Sequence, residues 1–262
     1  MRQMTCVAGE IKEKKVFIAV PMYDGKMNYA TSVSLSKASL RYEDMTRLMS
    51  GSLLTHIFNS LWTAGLNARA EGTIRYFLML HADIHVGGAG WLDNMIDDMR
   101  ALDADILSGV VPLKGWQGLT STAIGDPNNR WTVHRRLTMK EIYDLPETFS
   151  IKDTPYPDQL LMVNTGCLLV DFSKPWVDKV VFHIDDVNYQ DENGKWATQV
   201  NPEDWNLSWD AAKLGAKIYA TRKPPIVHFG TSSWSNVEVW GSWTEDEQML
   251  HENQRIRIEE VA

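Results

Sequence analysis

The chain has 262 residues, 44% of them hydrophobic and 23% charged, which is ordinary for a globular protein with a substantial core. Its net charge of -8 argues against a protein held to nucleic acid by its overall field, although a local basic groove is not excluded. Two cysteines, Cys6 and Cys167, make no disulfide framework, no run of about 18 apolar residues reads as a membrane span, and "MRQMTCVAGEIKEKK" lacks an apolar signal core, so a cytoplasmic protein is expected.

The first apolar run, Val16 to Val20, reads as a short strand stopped by Pro21. A helix follows over residues 29–40. Apolar residues at 53, 54, 57, 58, 61 and 62 have helical spacing, with Ser52 as a cap and Gly72 just past the end. Residues 74–80 read as a buried strand, 90–102 as a helix and 104–111 as a strand. This alternation predicts an α/β domain with a mostly parallel sheet and crossover helices. After Pro112 the pattern loosens: residues 113–160 mix Gly, Pro, Trp and Arg around one short helix near 139–145. Residues 160–171 are a strand pair or one long strand. A helix is expected over 201–215, with Asn201 as N-cap, Pro202 in the first turn, and Glu203 and Asp204 suited to the positive end of the helix dipole. Strands at 216–221 and 224–230 follow, then a charged tail, 244–262, that is helical or loose. There are no internal repeats, so one domain is expected over 1–262.

Ligands of open parallel sheets bind beyond the carboxyl ends of the strands. "LMLHADIHV" (78–86) places His81, Asp83 and His85 at such an end. Asp83 is a hard oxygen ligand suited to magnesium or manganese. In an extended chain His81 and His85 share its face, so the three converge; the competing role is a turn cap flanked by surface histidines. His228 in "IVHFG" again follows an apolar strand and precedes Gly, which suits a shared ion. Glu203 and Asp204 are either a helix start and nothing more, or include a general base. Eleven tryptophans, six of them between 196 and 243, offer platforms for flat ligand faces as well as core.

The order of these pieces resembles a GT-A-fold, nucleotide-sugar-dependent glycosyltransferase, most similar to the large inverting family 2. "FIAVPMYDG" resembles that family's opening strand and its P-x-Y/F-N turn. "NARAEGTIRYFLMLHADIHVGGAGWLDNM" resembles the approach to the D-x-D motif and the helix after it. "EDWNLSWDAAKLGAKIYAT" resembles the acidic helix that carries the base, and "HFG" the late metal-binding His. The match covers about Val16 to Gly230. It implies a Rossmann-like sheet flanked by helices, a nucleotide-sugar-binding half over about 14–112, and an acceptor and catalytic half with irregular elements over about 113–243.

The resemblance further implies a divalent ion, Mn or Mg, and a nucleoside-diphosphate sugar as donor. Pro21, Tyr23 and Asp24 would hold the base and ribose side. Asn67 and Arg69 are candidates for the ribose or phosphate, with helix-surface solvation the competing role for Arg69. The family usually carries Asp where this chain has His81. The metal motif is therefore His81-Ala82-Asp83 or Asp83-Ile84-His85, with Asp83 the ligand in either register, and His81 falls where a ribose contact is expected. His85 and His228 complete the metal set. Asp204 is the expected base and Glu203 the runner-up. "KGWQGLTSTAI" (114–124) reads as a loop lining donor or acceptor sugar, and Gly166 of "NTG" (164–166) as a close backbone approach. A glycan, a lipid-linked glycan, a protein and a modified nucleobase are all open as acceptors. The alternative is a nucleotide-sugar or carbohydrate-binding protein of the same fold without the chemistry. A nucleotidyltransferase ranks below both, because no Gly-rich, basic triphosphate loop follows the first strand.

Overall fold

The computed structural model describes residues 14–132 and 134–243. Cys6 and the expected tail element at 244–262 lie outside the described residues. In chain order the elements are β1 (Lys14–Met22), α1 (Tyr29–Ser36), β2 (Glu43–Ser50), α2 (Leu54–Ala70), β3 (Tyr76–Leu80), β4 (Ile84–Val86), α3 (Trp91–Ala101) and β5 (Ile106–Gly109). They continue with β6 (Leu119–Gly125), β7 (Arg135–Thr138), α4 (Met139–Asp144), β8 (Thr148–Phe149), β9 (Leu160–Met162) and β10 (Cys167–Asp171). The last are β11 (Asp185–Gln190), β12 (Trp196–Asn201), α5 (Glu203–Lys213), β13 (Ile218–Thr221), β14 (Ile226–Phe229) and β15 (Ser233–Ser235).

Seven strands form the central sheet in the order β2-β1-β3-β10-β5-β13-β8. β2, β1, β3, β5 and β13 run one way, while β10 and β8 run against them. Its central strands are buried on both faces, which is why they read as unbroken apolar runs. Phe17, Phe77, Met79, Leu168 and Val170 face α2, where they meet Phe58, Leu61 and Trp62. Val16, Ile18, Leu78, Leu80 and Leu169 face α3, where they meet Trp91, Leu92, Met95 and Ile96. Phe77 stacks between Phe17 and Phe172 with centroids at 5.7 and 4.7 Å. Cys167 is buried and its thiol is pushed up to about 12 by that burial, so it is inert as a nucleophile.

Three smaller sheets decorate this layer: β15-β14-β4, β7-β6-β9 and the hairpin β11-β12. The stretch 160–171 is a strand pair split between two sheets. Helix α1 stops at Ser36, short of Leu40. The amides of Leu40 and Arg41 bond instead to the buried carboxylate of Asp93, at 2.8 and 3.2 Å. No helix among the described residues is long and apolar enough to cross a membrane.

Candidate functional site

In the order β2-β1-β3 the chain passes from β1 to one side and then to the other, so the strand order reverses between β1 and β3. Carboxyl ends of strands at such a reversal diverge and leave a crevice. A cleft of about 380 Å³ lies there. Pro21, Tyr23 and Asp24 line it from the end of β1, Met27 and Asn28 from the approach to α1, and His81, Ala82 and Asp83 from the end of β3. Six residues expected on the nucleotide side are therefore brought together. Tyr23 is 68% exposed and presents its ring at this rim.

Asn67 and Arg69 are not part of it. Helix α2 crosses back over the sheet and leads into β3, so its last turn lies at the amino ends of the strands, opposite the cleft. Arg69 lies 3.9 Å from Asp178 there, in an ion pair, and Asn67 is exposed. The expectation that these two reach the ribose or phosphate is corrected by the direction of the crossover.

The extended run imagined for His81 to His85 is broken. Ile84 N donates to His81 O at 3.1 Å, closing a turn at residues 81–83 before β4 begins. Two-residue alternation therefore does not carry across the three side chains. His81 packs inward on Phe58, with centroids at 5.2 Å, and its Nε2 meets Thr165 Oγ1 at 3.1 Å. Burial pushes His81 down to about 4, against the pull of Asp83, so the ring is neutral near pH 7. In β4, Ile84 pairs with His228 and His85 with Val227. Paired residues share a face and successive residues alternate, so His85 and His228 lie on opposite faces of that sheet. His85 Nδ1 sits 2.7 Å from Ser34 Oγ and 2.9 Å from Ala30 O, on α1. His85 is thus corrected from a metal ligand to a brace for α1.

Asp83 and His228 do converge, with Nε2 of His228 3.4 Å from Asp83 Oδ2. His228 Nδ1 faces Pro112 O at 2.8 Å. A carbonyl only accepts, so Nδ1 carries the proton. With Nδ1 engaged there, Nε2 is the nitrogen left facing Asp83, where it serves as a donor to the carboxylate or, with a cation between them, as a co-ligand. A histidine whose other nitrogen is fixed by a carbonyl is the usual form of a metal ligand. Among the described residues no group of three or more His, Cys, Asp and Glu is arranged around a metal. The protein alone therefore offers two donors, which fits a divalent ion whose other positions are taken by phosphate oxygens and water. Lys114, the first residue of the stretch 114–124 expected to line a sugar, has its Nζ 2.5 Å from Asp83 Oδ2. Burial alone would raise the Asp83 carboxyl, but His228 and Lys114 hold it well below the usual carboxylate range.

Helix α5 runs from the carboxyl edge of the sheet back into β13, so its first turn lies on the same edge as the cleft. Trp205 Nε1 meets Ser121 O at 3.4 Å, and Ser121 N donates to Val111 O at 3.0 Å, which ties that turn to the end of β5. The N-cap is Pro202, not Asn201. Asn201 is buried and its amide donates to Arg130 O at 2.8 Å, so its side chain is engaged elsewhere. Arg130 also bonds Asp185 at 3.1 Å and Asp210 at 2.7 Å, fastening the β11-β12 hairpin to α5. Asp204 Oδ1 accepts from Trp205 N at 2.8 Å. Burial and the neighbouring Glu203 push the Asp204 carboxyl up to about 7, against the pull of Arg136. Burial raises Glu203 too. Trp205 lies under the Arg136 guanidinium at 4.4 Å and against His134 at 4.7 Å.

The stretch 114–124 is a turn followed by strand β6, not one loop. In "NTG", Asn164 accepts from Gly166 N at 2.8 Å and donates to Gly109 O at 3.1 Å. A Cβ at Gly166 would lie 3.0 Å from Asn164 Oδ1 and 3.4 Å from Val111, so the glycine there admits protein atoms and not a ligand.

No family model matches the chain, and no curated protein matches it in sequence. Among solved structures, A197 from STIV is similar with a TM-score of 0.48 and 8% identity, over 82% of this chain and 86% of that one. A glycosyltransferase involved in the glycosylation of the major capsid of PBCV-1 is similar with a TM-score of 0.31 and 14% identity. That match covers 63% of each chain, less than two thirds of the glycosyltransferase's length.

Proposed function

We propose that the chain is a glycosyltransferase that moves a sugar from a nucleoside-diphosphate donor to an acceptor hydroxyl with inversion. The observation that carries this reading is the cleft at the reversal of strand order, where Pro21, Tyr23, Asp24, His81, Ala82 and Asp83 meet. Tyr23 and Asp24 hold the base and ribose side, and the neutral His81 supports the ribose end of the cleft from below. Asp83 and His228 would hold a magnesium or manganese ion, which would supply positive charge for the diphosphate of the donor. Lys114 leaves Asp83 and moves to the phosphates as the donor enters. Asp204 accepts the acceptor's hydroxyl proton while that oxygen bonds to the anomeric carbon and the bond to the diphosphate breaks. A carboxyl at about 7 is matched to that task near neutral pH. Glu203 takes a secondary part, by raising Asp204.

The Lys114–Asp83 ion pair favours one further reading, a nucleotide-sugar-binding protein without chemistry, since an ammonium already satisfies the carboxylate. A panel of nucleotide sugars incubated with the chain and manganese separates the two. Release of nucleoside diphosphate that stops in Asp204→Asn supports transfer. Tight donor binding with no release supports the binding protein.

A further inference from the structure

Beside Asp83 the surface carries an aromatic feature that donor binding does not use. Trp116 is 70% exposed, second among the described tryptophans only to Trp196 of the β11-β12 hairpin at 74%. Unlike Trp196, it sits two residues after Lys114, the partner of Asp83. Its ring lies 5.9 Å from that of Trp234, tilted by 56°, and most of its surface stays open to solvent. Trp234 in turn pairs across β14 with His228 and shares its face. Gly230 joins the two parts: a Cβ there would lie 3.0 Å from the Lys114 stem and 3.2 Å from the Trp234 ring. Asp83, Lys114, Trp234 and Trp116 therefore form one continuous surface.

Two observations mark this surface as built for a ligand. The loop is fixed: Trp116 O accepts from Ser242 N at 3.2 Å, and Gly118, at φ +83°, packs so closely that a Cβ would lie 2.3 Å from Trp240 O. A large apolar ring on so constrained a loop gains nothing by facing water. Independently, Trp234 is 6% exposed and its indole Nε1 has no hydrogen-bond partner among the described residues. A buried donor of this kind is satisfied in nearly all native sites.

We propose that Trp116, backed by Trp234, is the platform for a ring of a carbohydrate acceptor, which it holds beside the Asp83 end of the cleft. A pyranose ring has an apolar face of C–H bonds that stacks on an exposed indole. The assignment rests on the transferase reading for the role of that carbohydrate as acceptor, and it selects a glycan over a protein or nucleobase acceptor.

The test uses the full chain on a printed oligosaccharide array, followed by tryptophan-fluorescence titration with the oligosaccharide retained best. Trp116→Ala removes an exposed ring and leaves no cavity. It is expected to weaken that oligosaccharide by about tenfold or more, and Trp116→Phe by less. Both variants are expected to keep the wild-type thermal shift with manganese and nucleoside diphosphates. Equal oligosaccharide affinity in wild type and Trp116→Ala overturns the platform, and so does an array on which the wild type retains nothing. Trp116-dependent oligosaccharide binding in a chain that responds to no nucleotide keeps the platform and defeats the transferase reading, so the two fail separately.

Discussion

Replacing Asp204 by Asn is expected to stabilise the protein and to stop turnover. The Asp204 carboxyl is moved from 3.8 to about 7, chiefly by burial. Because the folded value is raised, the ionised form disfavours folding. The penalty is absent below pH 4, grows between pH 4 and 7, and is complete above 7. About three pH units at 1.36 kcal/mol each give roughly 4 kcal/mol at pH 8. The positive end of α5 favours a carboxylate and offsets about 0.3–1 kcal/mol of this. Asn keeps an oxygen for Trp205 N, so the cap contact survives. A gain of roughly 3–4 kcal/mol remains, equivalent to a rise in Tm of roughly 6–15 °C for a domain of this size. Differential scanning fluorimetry from pH 4 to 9 measures it directly. The variant's advantage should be largest at pH 8 and vanish near pH 4, while transfer falls about 10²- to 10⁴-fold with donor binding retained. A Tm difference that is absent, or that does not change with pH, refutes the burial of Asp204. A stabilised variant with undiminished turnover refutes its role as base.

Other outcomes follow from the same geometry. His228→Ala should weaken manganese binding in the presence of nucleoside diphosphate by isothermal calorimetry, whereas His85→Ala should leave it unchanged and lower Tm through the lost contacts to Ser34 and Ala30. Equal loss in both would contradict their placement on opposite faces of β4-β14-β15. Arg69→Ala and Asn67→Ala should not alter nucleotide affinity, since both lie at the amino ends of the strands; a tenfold loss in either would move the nucleotide site. Gly118→Ala should destabilise by at least about 2 kcal/mol in urea titration, because Ala must adopt φ +83° with its Cβ against Trp240 O. An unchanged midpoint would mean that the 116–118 turn is not held by residues 240–243.

The sheet was largely legible because its strands are buried on both faces and so appear as apolar runs, as in "VFIAV" and "YFLML". Strand β2 escaped because "EDMTRLMS" is an edge strand with only two half-buried methionines on its inner side. The hairpin β11-β12 escaped although Asn193-Gly194, with Gly194 at φ +71°, is a turn signal between alternating segments. That residues at the ends of β1 and β3 meet in one cleft was legible, since strand ends can be read from where apolar runs stop. His85 was misplaced because nothing in "HADIHV" discloses the turn at 81–83. Asn67 and Arg69 were misplaced although the crossover rule already assigns the end of α2 to the far edge. Lys114 and Trp116 lie in the stretch 114–124 that reads as a sugar-lining loop, but nothing in it singles them out; only the fold brings residues 114 and 116 to Asp83 and Trp234.

The proposed transferase requires Asp83 to hold a divalent ion for a nucleoside diphosphate in the cleft between β1 and β3. Thermal shift of wild type and Asp83→Ala, each with UDP, GDP, CDP and dTDP and with or without manganese, tests it. At a hundredfold excess over its dissociation constant a ligand adds about 2.7 kcal/mol, a rise of several degrees. The wild type should show that rise with at least one nucleotide, only when manganese is present, and Asp83→Ala should show none while still unfolding cooperatively without ligand. The same manganese-dependent rise in Asp83→Ala, or no rise in the wild type with any of them, would contradict it.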